Sequence, residues 1–198
     1  GTNRTVSVFA QATGSTMITI AVSDGSLTTS ISFQVSISGS VSGTLVYDNT
    51  ENALNRSLSP GNGIEFGDQI FLSGVLRRVT DFQFDYYSGK GNGNETAELR
   101  FYRNDGGVSG TEPGTVLYRS GEFGIDSGYN TVVAQALSIE VSSTFTWTVT
   151  FRGIDAGEQV GLLLYNPPTI GSSFDDFWVK SSEGTWGTFV VDGGATPA

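Results

Sequence analysis

The chain lacks cysteine and histidine altogether. Without cysteine there is no disulfide, no reactive thiolate and no thiolate-bound metal. Without histidine there is no Ser-His-Asp triad, no imidazole zinc site and no side chain of the commonest general-base type. Basic residues are scarce: 10 Lys and Arg stand against 20 Asp and Glu, a net charge of −10. That balance disfavours nucleic acid and anionic membrane surfaces, whose phosphates it repels. No apolar run approaches the ~18 residues of a membrane-spanning helix. A signal-peptide pattern is also missing, and the chain opens abruptly in GTNRTV, so it reads as a mature or trimmed piece of a longer precursor.

What remains is rich in Gly (27 residues), Ser and Thr, with 37% hydrophobic and 12% aromatic residues. That is enough to build a core and unlike a disordered composition. A length of 198 residues suits one large or two small β domains.

Residues 17–37 carry the clearest pattern near the start. Ile18, Ile20 and Val22 share one face, with Met17, Thr19 and Ala21 on the other. Further on, Leu27, Ile31, Phe33, Val35 and Ile37 alternate with Thr28, Ser30, Ser32, Gln34 and Ser36. Period two on both arms predicts two half-buried strands. Asp24-Gly25 between them fits a two-residue type I′ turn, which would pair Val22 with Leu27. Upstream, residues 5–10 (TVSVFA) predict a third strand with Val6 and Val8 on the apolar face.

The run NRTVSVFAQATGSTMITIAVSDGSLTTSISFQVSIS resembles the C-terminal half of bacterial Ig-like (cadherin-like) repeats of secreted surface proteins. The features that carry the likeness are the NRTV strand, the VSDG turn and the Thr/Ser-rich last strand. The resemblance implies a spacer, stalk or adhesive module. It implies no activity, since such repeats serve all these roles. The front half of a repeat is not found in the chain.

Residues 39–43 form a Gly/Ser linker and divide a partial Ig-like unit, 1–38, from a second domain, 44–198. In that domain, 49–67 is punctuated by Gly and Pro and predicts a loop. Strands are expected at 68–72, at 78–87 with Phe82, Phe84 and Tyr86 inward, and at 97–102 with Leu99 and Phe101 inward. Loops are expected at 88–94 and 104–114. Short strands at 115–119 and 137–141 flank a turn-rich middle. The cleanest strand is 144–151, TFTWTVTF, with Phe145, Trp147, Val149 and Phe151 opposite four threonines. Residues 160–165 are apolar on both faces, as in a central strand, and stop at Pro167-Pro168. Strands at 174–180 and 185–191 complete the count. About ten strands and no helical periodicity predict an all-β chain, whose second domain is a jelly-roll-like antiparallel β-sandwich.

Segments VYDN, FGDQIFLSGVLRRVTDFQFDYY, ETAELRFYRNDG, PGTVLYRSGEF and GEQVGLLLYNPPTIGSSFDDFWVK are similar to secreted β-sandwich domains of verrucomicrobial and planctomycete PEP-CTERM-type surface proteins. That resemblance implies export and an extracellular or cell-surface role. It carries no functional residues over.

Few residues offer chemistry. Asp175-Asp176 is an acidic pair, but adjacent strand residues point to opposite faces, whereas a glycosidase needs two carboxylates about 5–10 Å apart across one bond. Asn104 and Asp105 could contribute to a structural calcium site, yet NDGG lacks the alternating ligands of a calcium loop. No metal site or cofactor is therefore expected. Trp178, Trp186 and Tyr129 are candidates for stacking on sugar rings. Asn3, Asn55 and Asn94 stand in N-x-S/T triplets, the acceptor pattern for glycans.

The apolar face of the first unit is the main structural problem. Its eight hairpin side chains, at ~1.5–3 kcal/mol each, represent on the order of 10–20 kcal/mol if left in water. A whole domain is held by ~5–15 kcal/mol. Something must cover that face: the second domain or a neighbouring chain. The expectation is a non-enzymatic, extracellular structural subunit that polymerises head to tail through this unit. The alternative is a carbohydrate-binding or adhesive module of a larger secreted protein.

Overall fold

The computed structural model describes residues 14–23, 25–37 and 43–190, and every regular element among them is a β-strand. The chain divides into two compact units, Gly1–Gly43 and Thr44–Ala198.

In the first unit, β1 (Gly14–Ser23) and β2 (Thr28–Ile37) pair antiparallel. Ser23 faces Thr28, so the connection is four residues long, not two, and Val22 meets Thr29 rather than Leu27. The shift is by an even step, so the two faces keep their composition. It also improves the cross-strand matches. Ile20 now faces Ile31 and Ile18 faces Phe33, whereas the tighter turn would oppose Ile20 to Thr29. Apolar cross-strand pairs of this kind are the unit of sheet stability. Leu27 falls into the loop, where Gly25 adopts φ +94° and its N–H donates to Ser23 Oγ at 3.2 Å. Val6, Val8, Asn3 and Asp24 lie outside the described residues.

The second unit contains β3 (Ala53–Leu58), β4 (Glu65–Phe71), β5 (Arg78–Val79), β6 (Phe82–Gly89), β7 (Thr96–Gly106), β8 (Glu112–Gly124) and β9 (Gly128–Ala134). It continues with β10 (Ile139–Glu140), β11 (Thr144–Arg152), β12 (Gln159–Tyr165), β13 (Ser172–Ser173), β14 (Phe177–Lys180) and β15 (Trp186–Phe189). One sheet runs β15-β14-β4-β11-β7-β8, with β13 also on β4; the other runs β3-β12-β6-β9. β5 and β10 form a small separate ribbon.

The two larger sheets face each other as a sandwich. β11 supplies Phe145, Trp147, Val149 and Phe151 to the interior; β7 supplies Ala97, Leu99 and Phe101. From the opposite sheet come Phe84 and Tyr86 of β6 and Val160, Leu162 and Leu164 of β12. Trp147 bridges the layers, its ring 5.2 Å from Phe82 and 5.6 Å from Phe84. Phe151 meets Tyr86 at 6.1 Å. Such tilted and stacked contacts, with centroids 5.2–6.1 Å apart, lie in the range that aromatic pairs prefer. β12 is central in its sheet, as its two apolar faces predict.

Several elements depart from the sequence expectation; the strands expected at 137–141 and 174–180 shrink to Ile139–Glu140 and Phe177–Lys180. The stretch 49–67, expected as a loop, contains β3 and the start of β4. Among the described residues β3 is an edge strand paired with β12 alone, and Asn55 at φ +55° breaks its alternation. The expected loop 104–114 is mostly consumed by β7 and β8, leaving a five-residue tip at 107–111. The turn-rich middle contains β9, another edge strand. Edge strands expose one ladder and carry polar and Gly residues that blunt aggregation, so they lack the run of apolar residues that marks a central strand.

Candidate functional site

The hairpin presents its apolar face to solvent. Val22 is 64% exposed, Ile31 65% and Phe33 43%, and Ile20 is exposed beside them. Ile18 and Val35 are half-buried. The reverse face is mostly Thr and Ser, with Thr19 and Ser32 hydrogen-bonded through their hydroxyls at 2.7 Å, but also carries Met17, 64% exposed. Among the described residues β1 pairs with β2 and with no other strand. Residues 14–37 hold one charged side chain, Asp24, in a chain of net charge −10.

A second assembly of polar groups sits on the threonine side of the larger sheet. Register brings Glu65 of β4, Thr148 and Thr150 of β11, Glu98, Arg100 and Tyr102 of β7, and Lys180 of β14 onto one face. Glu65 is buried, accepts three hydrogen bonds and faces a second cation. Tyr102 Oη donates to Oε1 at 2.6 Å and Thr148 Oγ1 at 2.8 Å. Arg100 Nη1 reaches Oε2 at 2.5 Å, with Lys180 Nζ at 3.6 Å. The other end of the Arg100 guanidinium binds Glu98, which Arg152 approaches at 3.7 Å. Burial works against the Arg100 charge, but Glu98 and Glu65 outweigh it and hold its proton more tightly than usual. Burial, with the bond to Glu65, pushes the Tyr102 phenol up. Trp186 lies edge-on to Tyr102 at 5.4 Å, and Lys180 Nζ stands 5.0 Å from the Trp186 ring. The Arg100 guanidinium bridges the two carboxylates, and the cluster cross-links four strands.

The sequence pattern places Glu98, Arg100 and Tyr102 outward on β7, but Glu65 stands inside a stretch expected as loop. Only the strand order β14-β4-β11-β7 brings these four strands together.

The sequence-derived site residues are scattered. Trp178, expected at the surface, is 8% exposed; its indole stacks on Phe174 at 5.8 Å and its N–H donates to Gln69 at 3.3 Å. Burial occupies the ring and removes it as a sugar platform. Trp186 is half-buried against Tyr102 and Lys180. Tyr129 is the second residue of β9, next to the turn at 125–127, and is 77% exposed. Asp175 and Asp176 immediately precede β14. Asn104 accepts from Thr146 Oγ1 at 2.7 Å. Asp105 accepts the Thr115 N–H at 2.7 Å and its hydroxyl at 2.8 Å. These two residues thus fasten β7 to its neighbours. Among the described residues no three Asp, Glu, His or Cys side chains gather as a metal site. Asn55 and Asn94 are exposed.

Comparison with family models, with curated proteins and with solved structures finds no match to this chain.

Proposed function

We propose that the protein is an extracellular structural subunit that assembles with copies of itself, in a surface filament, through the apolar face of the β1–β2 hairpin. The observation that carries this reading is the open face formed by Ile20, Val22, Ile31 and Phe33. A two-stranded hairpin is marginal in water unless its apolar face is packed. A second copy is the favoured cover. The hairpin is almost free of charge, so copies whose bodies repel one another meet there without a like-charge barrier. A contact of this kind that repeats without closing yields a fibre. The extracellular setting follows from the resemblance to secreted surface proteins.

The test is electron microscopy of the concentrated full chain and of Ile20→Thr/Ile31→Thr/Phe33→Thr. Threonine keeps strand propensity while removing the apolar surface. Filaments or ordered oligomers are expected for the parent chain and dispersed monomers for the variant. Dispersed monomers for both would overturn the reading.

A further inference from the structure

We propose that the outer face of the four-stranded sheet binds an uncharged polysaccharide, with Tyr87 and Tyr129 as its platform. β6 sends Phe82, Phe84 and Tyr86 into the core and therefore turns Asp85, Tyr87 and Gly89 outward. Register sets Tyr87 beside Tyr129 on one side and Gly161 on the other. The two tyrosine rings lie 4.8 Å apart at 47°. Tyr87 does not stand up from the sheet. It lies along its own strand over Gly89, where an added Cβ would come within 2.8 Å of the Tyr87 hydroxyl and 2.9 Å of the ring. Gly89 thus clears the space beneath this ring, and a ring lying along the sheet turns a flat face outward.

A pyranose has an apolar face of C–H bonds and a rim of hydroxyls. It needs a flat apolar partner and a fixed polar group within reach, the combination that gives small-ligand sites their orientation. Asp85 provides the second part. It sits two residues from Tyr87, ~6–7 Å along the strand, the span of one sugar ring and a hydrogen bond. Thr131 Oγ1 donates to its Oδ1 at 2.5 Å and Tyr165 Oη to its Oδ2 at 2.6 Å. Those bonds hold the carboxylate in place and use about half its acceptor capacity. The remainder faces hydroxyl donors. The net charge of −10 selects against anionic polymers and leaves neutral ones. This site lies on the second unit and is independent of the hairpin.

The test is affinity electrophoresis of the full chain in native gels containing hydroxyethylcellulose, arabinoxylan or galactomannan, with polygalacturonate as the anionic comparison. At least one neutral polymer should retard the protein. Retardation should weaken tenfold or more in Tyr129→Ala and in Tyr87→Ala, and persist in Tyr129→Phe. Tyr129 is exposed, so its variants keep the fold and carry the test if Tyr87→Ala does not. No retardation by any of the three neutral polymers, equal retardation of parent and Tyr129→Ala, or retardation by polygalacturonate alone would each overturn the proposal.

Discussion

Single residues hold the sandwich at two kinds of site. Trp147 joins the two sheets through Phe82 and Phe84. Trp147→Ala should lower the unfolding free energy by ~3–5 kcal/mol, the range for a buried aromatic cut to alanine, read from a urea midpoint. Glu65 is the electrostatic counterpart. Removing it leaves Arg100 and Lys180 short of a partner and Tyr102 and Thr148 without an acceptor. Glu65→Ala should cost ~3–5 kcal/mol, as breaking one side of a buried pair does; an unchanged midpoint would show the cluster to be inert. The phenols give a pH signature. Tyr47, Tyr86, Tyr102 and Tyr165 are all shifted up, each chiefly by burial. A folded-state value above the unfolded one means that native tyrosine keeps its proton while unfolded tyrosine loses it. Stability is therefore undiminished below the unfolded value of ~10 and falls as pH rises beyond it. Ultraviolet titration should show these four phenols ionising later in the native protein than in denaturant.

At the scale of elements, legibility followed burial. β11 was readable residue by residue, because TFTWTVTF alternates without interruption and both its neighbours are sheet strands. β12 was readable as a central strand from its two apolar faces. β3 and β9 were not, since edge strands feel the core on one side only and carry residues that deter pairing. The hairpin faces were legible while its register was not. Alternation fixes a face, but a shift of two residues preserves it, and cross-strand matching of Ile20 with Ile31 then decides. The ion cluster was half legible: alternation shows which side chains leave the core, and only strand order shows which of them meet. Gly67 is a further case. It reads as a loop glycine, yet it lies in β4 opposite Thr148, where an added Cβ would fall 2.0 Å from the Trp147 carbonyl oxygen. Gly67→Ala should destabilise the domain by at least the ~1–3 kcal/mol of an overpacked core, visible as a lowered melting temperature.

At the scale of the whole molecule, a strongly acidic body carries one nearly uncharged apolar hairpin. Repulsion between bodies opposes association and is screened by salt, with a Debye length of ~10 Å at 0.1 M. Association through the hairpin should therefore strengthen as salt rises, the reverse of an ion-pair interface. Sedimentation velocity over a series of protein and salt concentrations tests this most directly, run on the full chain and on Ile20→Thr/Ile31→Thr/Phe33→Thr. The account predicts that the sedimentation coefficient of the parent chain climbs with both concentrations while that of the variant stays at the monomer value. A parent chain that remains monomeric throughout, or a variant that assembles as the parent does, would contradict it.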